Sequence, residues 1–188
     1  IESFLSSYII QEENPKSVAI IMAGNIPLVG FHDFLCVILT GNKAIIKLSS
    51  KDSHLMHFVL NYLSSICIDF KDFYKICQEK LSGYDAVIAT GNNLSASKFK
   101  EYFNEYPNII RKSRHSVAVL KGNESNDQLQ NLSNDIFNYF GLGCRNVSKV
   151  YLPENYDFDL LFRSFMKWKK VINNNSYANN YDYHRAIY

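Results

Sequence analysis

The run Phe140-Gly141-Leu142-Gly143-Cys144-Arg145-Asn146 sets a thiol directly after Gly-x-Gly and before a cation. Glycine allows a backbone to approach a ligand closely, and a neighbouring guanidinium favours the thiolate, the form of cysteine that attacks. Backbone N–H groups in a tight loop can then hold the oxyanion of a tetrahedral thiohemiacetal. Read locally, the same residues also fit an inert thiol buried in a glycine turn, because free cysteine is often simply packed. Ala23-Gly24-Asn25-Ile26-Pro27 puts a side-chain amide where it can donate to such an oxyanion, or forms a plain turn, where Gly-Asn is common. Lys47-Leu48-Ser49-Ser50-Lys51-Asp52 offers two ammonium groups and two hydroxyls, a set that suits an adenosine ribose and a 2′-phosphate. It reads equally well as a capped helix start with surface lysines.

These runs need elements to hold them. Val18 to Met22 is a short, β-branched apolar run and reads as a buried strand that ends at Ala23-Gly24-Asn25. Phe31 to Leu39 follows as an apolar helix, stopped by Gly41-Asn42. Lys43 to Leu48 is the next strand, and Ser49 to Asp52 caps a helix running to about Ile66. A weaker strand over Phe73 to Cys77 and a clearer one over Asp85 to Ala89, ending at Thr90-Gly91-Asn92, precede a helix with Phe99, Tyr102 and Phe103 on one face. Strand and helix alternate throughout, the pattern of a parallel sheet covered by helices. Right-handed crossovers would gather the loops Ala23–Pro27, Ser49–Asp52 and Thr90–Asn93 along the edge where open α/β sheets bind ligands. Short strands over Ile109 to Arg111 and Val117 to Leu120, a helix from about Asn126 to Tyr139, a strand over Val147 to Leu152 and a helix over Asp157 to Val171 complete the chain. An N-terminal helix is expected over Phe4 to Glu12.

The 188 residues carry a formal charge of +2, with 47% hydrophobic and 20% charged side chains. That balance lacks the basic excess of a nucleic-acid binder. The Lys167-Trp168-Lys169-Lys170 run reads as a solvated helix face. Cys36, Cys67, Cys77 and Cys144 form no CxxC pair, and no histidine stands near them at metal-ligand spacing, so no metal site or disulfide framework is expected. The first three are read as core residues. His32, His54, His57, His115 and His184 make no triad layout; His54 and His57, at i and i+3, share a helix face that reads as solvated or packed rather than as a ligand pair, and Asp33 reads as structural. The longest apolar stretch, Val18 to Phe31, is broken by Gly24, Asn25 and Pro27 and is no membrane span. With no secretory signal at the start, the expected compartment is the cytoplasm. The chain opens without Met and closes with Tyr-rich sequence still under way, so we expect a piece of a longer polypeptide.

No GxGxxG follows any strand, so the usual dinucleotide fingerprint is absent. The ordered set AGNIP, LTGNKAIIKLSSKD, ATGNN and a Gly-Cys before a strand nevertheless resembles the aldehyde dehydrogenase superfamily. More closely, it resembles acyl-CoA reductases of the LuxC type, the reductase component of the bacterial fatty-acid reductase complex. GNKAIIKLSSKD is the most specific run, YANNYDYHRAIY is also typical, and the resemblance extends from about Val18 to Tyr188. It implies an atypical Rossmann parallel sheet with helices on both faces, over residues 1–113, that binds NADPH without the glycine fingerprint. The start of a second α/β domain, residues 114–188, would carry the nucleophile. By motif, Cys144 matches the catalytic thiol and Asn25 the oxyanion amide. Lys47 matches the ribose-binding lysine, Ser49 and Lys51 stand where NADP-preferring members meet the 2′-phosphate, and Thr90 and Gly91 match the loop near the pyrophosphate. Ala23 and Gly24 complete the cofactor set. The implied donor is acyl-CoA, or an acyl group handed over by a partner synthetase or transferase subunit, and the superfamily's habit of forming dimers or tetramers comes with it.

One departure from the superfamily carries information. Hydrolytic members have a Glu in a Glu-Leu-Gly-Gly segment that activates water. The corresponding stretch here is Ile110-Arg111-Lys112-Ser113-Arg114-His115, and no acid stands between Tyr106 and Gly122. Without that base, hydrolysis of a Cys144 thioester should be slow, and the acyl group would wait for hydride. The expected function is therefore NADPH-dependent reduction of a fatty acyl thioester to an aldehyde. Two rivals stand beside it: an acyl-phosphate reductase of the same superfamily, and a non-catalytic domain that keeps the fold and binds a nucleotide or a partner.

Overall fold

Ser-Val-Ala-Ile-Ile forms β1 (Ser17–Ile21) in a computed structural model that describes Ser6 and residues 14–188. A strand with β-branched side chains on both faces is stable only in the middle of a sheet covered on both sides, and β1 sits there. It pairs in parallel with β2 (Lys43–Lys47) and with β4 (Ala86–Thr90), Ile20 lying opposite both Ile46 and Ile88. β3 (Tyr74–Ile76) and β5 (Asn108–Arg111) complete an all-parallel sheet in the order β3-β2-β1-β4-β5.

The two faces of β1 belong to two cores. Val18, Ile20 and Met22 pack with Ala44 and Ile46 against Phe34 and Val37 of α1 (Phe31–Leu39) and Met56 and Leu60 of α2 (His54–Ile66). Ala19 packs with Val87, Ala89 and Phe103 on the opposite face, where Phe99 of α3 (Asn93–Tyr102) joins them. Ile20, Ile46, Phe34 and Leu60 are almost wholly enclosed; each contributes roughly 1.5–3 kcal/mol. The stop after α1 is the one expected: Gly41 adopts a φ of +76°, and Gly41 N and Asn42 N close on the carbonyls of Ile38 and Val37.

This first unit reaches to Ser113, and a second runs from Arg114 to Tyr188. In the second, β6 (Ser116–Val119) and β7 (Val147–Tyr151) pair in parallel, and α4 (Asn126–Phe137) crosses between them. A reciprocal cap starts α4: Gln128 N donates to Ser125 Oγ and Ser125 N to Gln128 Oε1. Leu129 and Leu132 of α4 meet Leu161 of α5 (Phe158–Phe165) in the core of this unit.

Three expectations are corrected, and one helix is new. Ser49–Asp52 does not cap α2, which begins at His54 after Ser53, and Ser53 makes no side-chain cap bond. The Asp52 carboxylate instead reaches back across the sheet edge to Leu28 N, at 2.6 Å. The helix expected over Asp157–Val171 ends at Phe165 and continues as 3-10 turns over Met166–Asn173. A helix not anticipated at all, α6 (Asn175–Ile187), follows; it is capped by the Asn174 side chain and buries no residue, so no apolar stripe announces it. The cysteines expected in the core are not there. Cys67 is exposed, because it is the extended residue that ends α2, while Cys36 and Cys77 are half-buried. The helix expected over Phe4–Glu12 lies, Ser6 apart, outside the described residues. Among the described residues no helix is long and apolar enough to cross a membrane, and no three His, Cys, Asp or Glu side chains gather as a metal site requires.

Candidate active site

From β1 the chain moves outward to β2 and β3, then returns to β4 on the other side of β1 and moves outward again to β5. The loops after β1 and β4 therefore part in opposite directions, the switch point at whose mouth doubly wound sheets bind ligands. Ala23, Gly24 and Asn25 leave β1 there, Thr90 and Gly91 end β4, and Ser49 and Lys51 follow β2 on the same edge.

The β1 and β2 loops touch through Gly24. A Cβ built on Gly24 would lie 2.4 Å from Ser49 Oγ, 2.7 Å from Ser49 Cβ and 3.1 Å from Lys51 Cβ. Only glycine allows that approach. Ser49 is tied down in turn, its Oγ accepting from Lys51 N at 3.3 Å and its carbonyl from Asp52 N at 3.2 Å. Between the two loops and the start of α2 opens a cleft of about 400 Å³, lined by Gly24, Asn25, Pro27, Ser50, Lys51 and His54 among others. Ser49 packs beneath Gly24, and Ser50 and Ser53 are the serines that line the space. The N-terminal turn of α2, where Ser53 makes no side-chain cap bond, and Lys51 both line the cleft, together with Asp52, whose carboxylate accepts from Leu28 N; a helix N-terminus and an ammonium group favour an anion. His54 borders it as well. The i, i+3 spacing with His57 that reads as a solvated face does not separate the two, yet only His54 reaches the cleft.

Lys47 stands outside the cleft lining. Its Nζ donates to the carbonyls of Gln78 at 2.5 Å and Glu79 at 2.6 Å, so two of its three N–H bonds anchor the segment after β3 and one remains. On the other side, α3 packs directly on Gly91: a Cβ there would lie 2.8 Å from Ser95 Cβ and 3.1 Å from Phe99 Cε2. Asn92 Oδ1 caps α3 through Ser95 N at 2.8 Å, and Gly91 N donates to Arg111 O at 3.1 Å. The Arg111 guanidinium in turn bonds the buried Asp33 carboxylate at 2.5 Å, joining the end of β5 to the start of α1. Asp33 thus has the structural role its sequence position implied, and Arg111 is the partner that sequence spacing could not show.

In the second unit Cys144 is exposed, which removes the buried-thiol reading. The turn ahead of it is strained. Tyr139 and Phe140 adopt left-handed backbone at φ 53° and 57°, and Gly141 follows at 72°. For the two side-chain-bearing residues this costs about 1–2 kcal/mol each. Asn146 holds the turn closed: its Oδ1 accepts from Gly143 N at 2.8 Å, and its Nδ2 donates to Asp135 O at 2.7 Å and Asn138 O at 3.1 Å. Asn146 N also donates to Gly143 O at 3.0 Å. With Gly143 N engaged, the Cys144 N–H is left with no partner among the described residues, beside an accessible sulfur. Asn146 stands in the cysteine run, but nothing in its spacing signals this role; only the fold brings the end of α4 within its reach. Glu124, the first acid after the acid-free stretch, has its carboxylate bonded by Lys121 N and, at 3.1 Å, by Gly122 N.

Solved structures share this architecture. A putative aldehyde dehydrogenase PutA from Anabaena variabilis superposes with a TM-score of 0.68 at 17% identity, over 81% of this chain and 35% of that one. A mutant of aldehyde dehydrogenase C from Pseudomonas syringae, in complex with NAD+ and octanal, gives 0.67 at 15% identity, over 86% and 39%. A mutant propionaldehyde dehydrogenase from the fucose-utilisation microcompartment of Clostridium phytofermentans gives 0.64 at 10%, over 80% and 38%. The chain thus spans between a third and two fifths of the length of these three proteins. No curated protein matches it. Over residues 6–158 it matches the family model described as acyl-CoA reductase (LuxC), and with the aldehyde-dehydrogenase architecture around a glycine-bounded cysteine, it belongs to the LuxC acyl-CoA reductase family.

Proposed function

We propose that the protein reduces a fatty acyl thioester such as acyl-CoA to an aldehyde, with Cys144 as nucleophile and NADPH as the source of hydride. The observation that carries this reading is an exposed thiol in a strained, hydrogen-bonded turn, whose own N–H has no partner among the described residues. Membership of a family described as acyl-CoA reductase supports it.

The cofactor residues fit a phosphorylated dinucleotide. The cleft lies between the β1 and β2 loops, offers Lys51, the Ser50 hydroxyl and the positive end of α2 to a phosphate, and is shaped by the close approach of Gly24 to the Ser49 side chain. Lys51 and Ser50 would hold the adenosine 2′-phosphate, with Ser49 shaping the cradle beneath Gly24; the remaining N–H of Lys47 would meet a ribose hydroxyl, and Ala23, Gly24, Thr90 and Gly91 would form the neighbouring backbone edge. When bound, the nicotinamide supplies hydride to the thioester carbonyl.

The chain's own residues do the rest. The Cys144 thiolate adds to the acyl carbon, forming a C–S bond, and the oxygen that becomes negative would be held by the Cys144 N–H, with Asn25 the further amide donor that the family resemblance implies. The C–S bond to coenzyme A breaks, its thiolate leaves, and an acyl-enzyme remains. After hydride addition the second oxyanion occupies the same donors. It collapses with cleavage of the bond to Cys144, giving aldehyde and the regenerated thiolate. No carboxylate between Tyr106 and Gly122 is available to activate water, and Glu124 is held by backbone N–H groups, so the acyl-enzyme is protected from hydrolysis. The donor is acyl-CoA or an acyl group passed on by a partner subunit. NADPH consumption with palmitoyl-CoA against small acyl phosphates, repeated with NADH, tests the reading. Turnover with palmitoyl-CoA and NADPH is expected; turnover confined to acyl phosphates would replace the substrate class.

A further inference from the structure

The Asn146 side chain forms four of the hydrogen bonds that shape the cysteine turn, and no step proposed above uses it. Its side chain joins three separate pieces of backbone: the N–H of Gly143, and the carbonyls of Asp135 and Asn138 at the frayed end of α4, with Ile136 O at 3.4 Å sharing the same donor. One end of the amide accepts and the other donates. Asparagine is thus the short side chain that serves all of these groups at once, and its isosteric acid would face the carbonyls with a second negative oxygen. The turn it closes holds Tyr139 and Phe140 in left-handed backbone, a conformation that persists only where the surroundings enforce it. By occupying Gly143 N, Asn146 leaves the Cys144 N–H as the free donor next to the sulfur.

We infer that Asn146 is a positioning residue for the acyl-transfer step: it fixes the turn so that the Cys144 N–H faces the carbonyl oxygen that the Cys144 sulfur activates. The inference rests on the reading of Cys144 as nucleophile and adds to it the group that orients the nucleophile's own backbone donor. A role in orienting that donor differs from a merely structural one in a measurable way. Transfer of an acyl group to the sulfur builds an oxyanion and needs the N–H; alkylation by iodoacetamide is a displacement at carbon that builds none.

The test uses the full natural chain with Asn146→Asp and Asn146→Ala. Two rates are read at Cys144 by peptide mass spectrometry: acylation by palmitoyl-CoA and carboxamidomethylation by iodoacetamide. The half-buried Cys36 and Cys77 report folding in the same molecules. The expected result is acylation slowed at least tenfold in both variants, alkylation of Cys144 changed less than threefold, and Cys36 and Cys77 as protected as in the parent. Unchanged acylation would overturn the inference. So would parallel loss of both rates, or newly reactive Cys36 and Cys77, since either marks Asn146 as a plain fold contact. A parent protein that alkylates but never acylates at Cys144 would sink the nucleophile reading itself, an outcome distinct from the other two.

Discussion

Replacing Gly24 with alanine tests whether the β1 and β2 loops form one cofactor cradle. The added Cβ would meet Ser49 Oγ at 2.4 Å and Ser49 Cβ at 2.7 Å. Rotating the hydroxyl relieves the first contact, but nothing short of moving backbone relieves the second. Overpacking of this kind costs about 1–3 kcal/mol. The cradle is a surface loop, so the strain falls chiefly on the spacing between Gly24 and the Ser49–Lys51 segment. Expressed as binding, that is roughly a 5- to 150-fold weaker grip on NADPH, at 1.4 kcal/mol per tenfold. Ser49→Gly removes both clashing atoms and leaves Lys51 Cβ, at 3.1 Å, as the remaining neighbour. The double variant should therefore recover most of the affinity, with a coupling of about 0.5–3 kcal/mol between the two sites. Fluorescence titration of NADPH against the parent, the two single variants and the double variant measures it. Parental affinity in Gly24→Ala, or a double variant as weak as Gly24→Ala alone, would refute the cradle.

Other consequences can be checked separately. Asp33→Asn removes one charge of the pair joining β5 to α1; the carboxylate is largely buried and the guanidinium partly so, and a loss of roughly 1–3 kcal/mol in denaturant stability is expected, between the values for exposed and buried pairs. Backbone N–H groups, that of Lys121 foremost, hold the Glu124 carboxyl below the usual carboxylate range. A lowered folded pKa means that this contribution is complete above the ordinary Glu value and disappears as pH falls through the folded one. Glu124→Gln should accordingly flatten the acid limb of a stability–pH curve while leaving the slope above pH 6 unchanged. An acid limb identical to the parent's would remove Glu124 from the account.

The sheet could be read from the chain because each central strand is a short β-branched run closed by small or polar residues such as Gly24-Asn25, Ser49-Ser50 and Thr90-Gly91, and burial on two faces suits Ala19 and Ile20. The cradle was partly legible. Ser49 and Lys51 stand in a run whose residue types speak of phosphate, but that Ser49 lies beneath Gly24 while Ser50 and His54 face the cleft depends on the turn at Asp52, which a contact with Leu28 across the edge decides. The role of Asn146 was hidden for the same reason: its partners at Asp135 and Asn138 lie eight to eleven residues back, at the end of a helix whose exact stop sequence periodicity does not give. Left-handed backbone at Tyr139 and Phe140 was hidden more deeply still, since aromatic residues carry no signal for it. The cysteines show the limit of composition. An apolar neighbourhood in sequence suggested a buried Cys67, but Cys67 is the extended residue that ends α2 and is exposed there.

The central claim is that Cys144 carries the acyl group, and intact mass spectrometry after incubation with palmitoyl-CoA and no cofactor addresses it directly. The account predicts one palmitoyl adduct, mapped to Cys144, absent from Cys144→Ala, stable in buffer and discharged as palmitaldehyde when NADPH is added. A parent protein that stays unmodified, or an adduct that survives in Cys144→Ala, would contradict it.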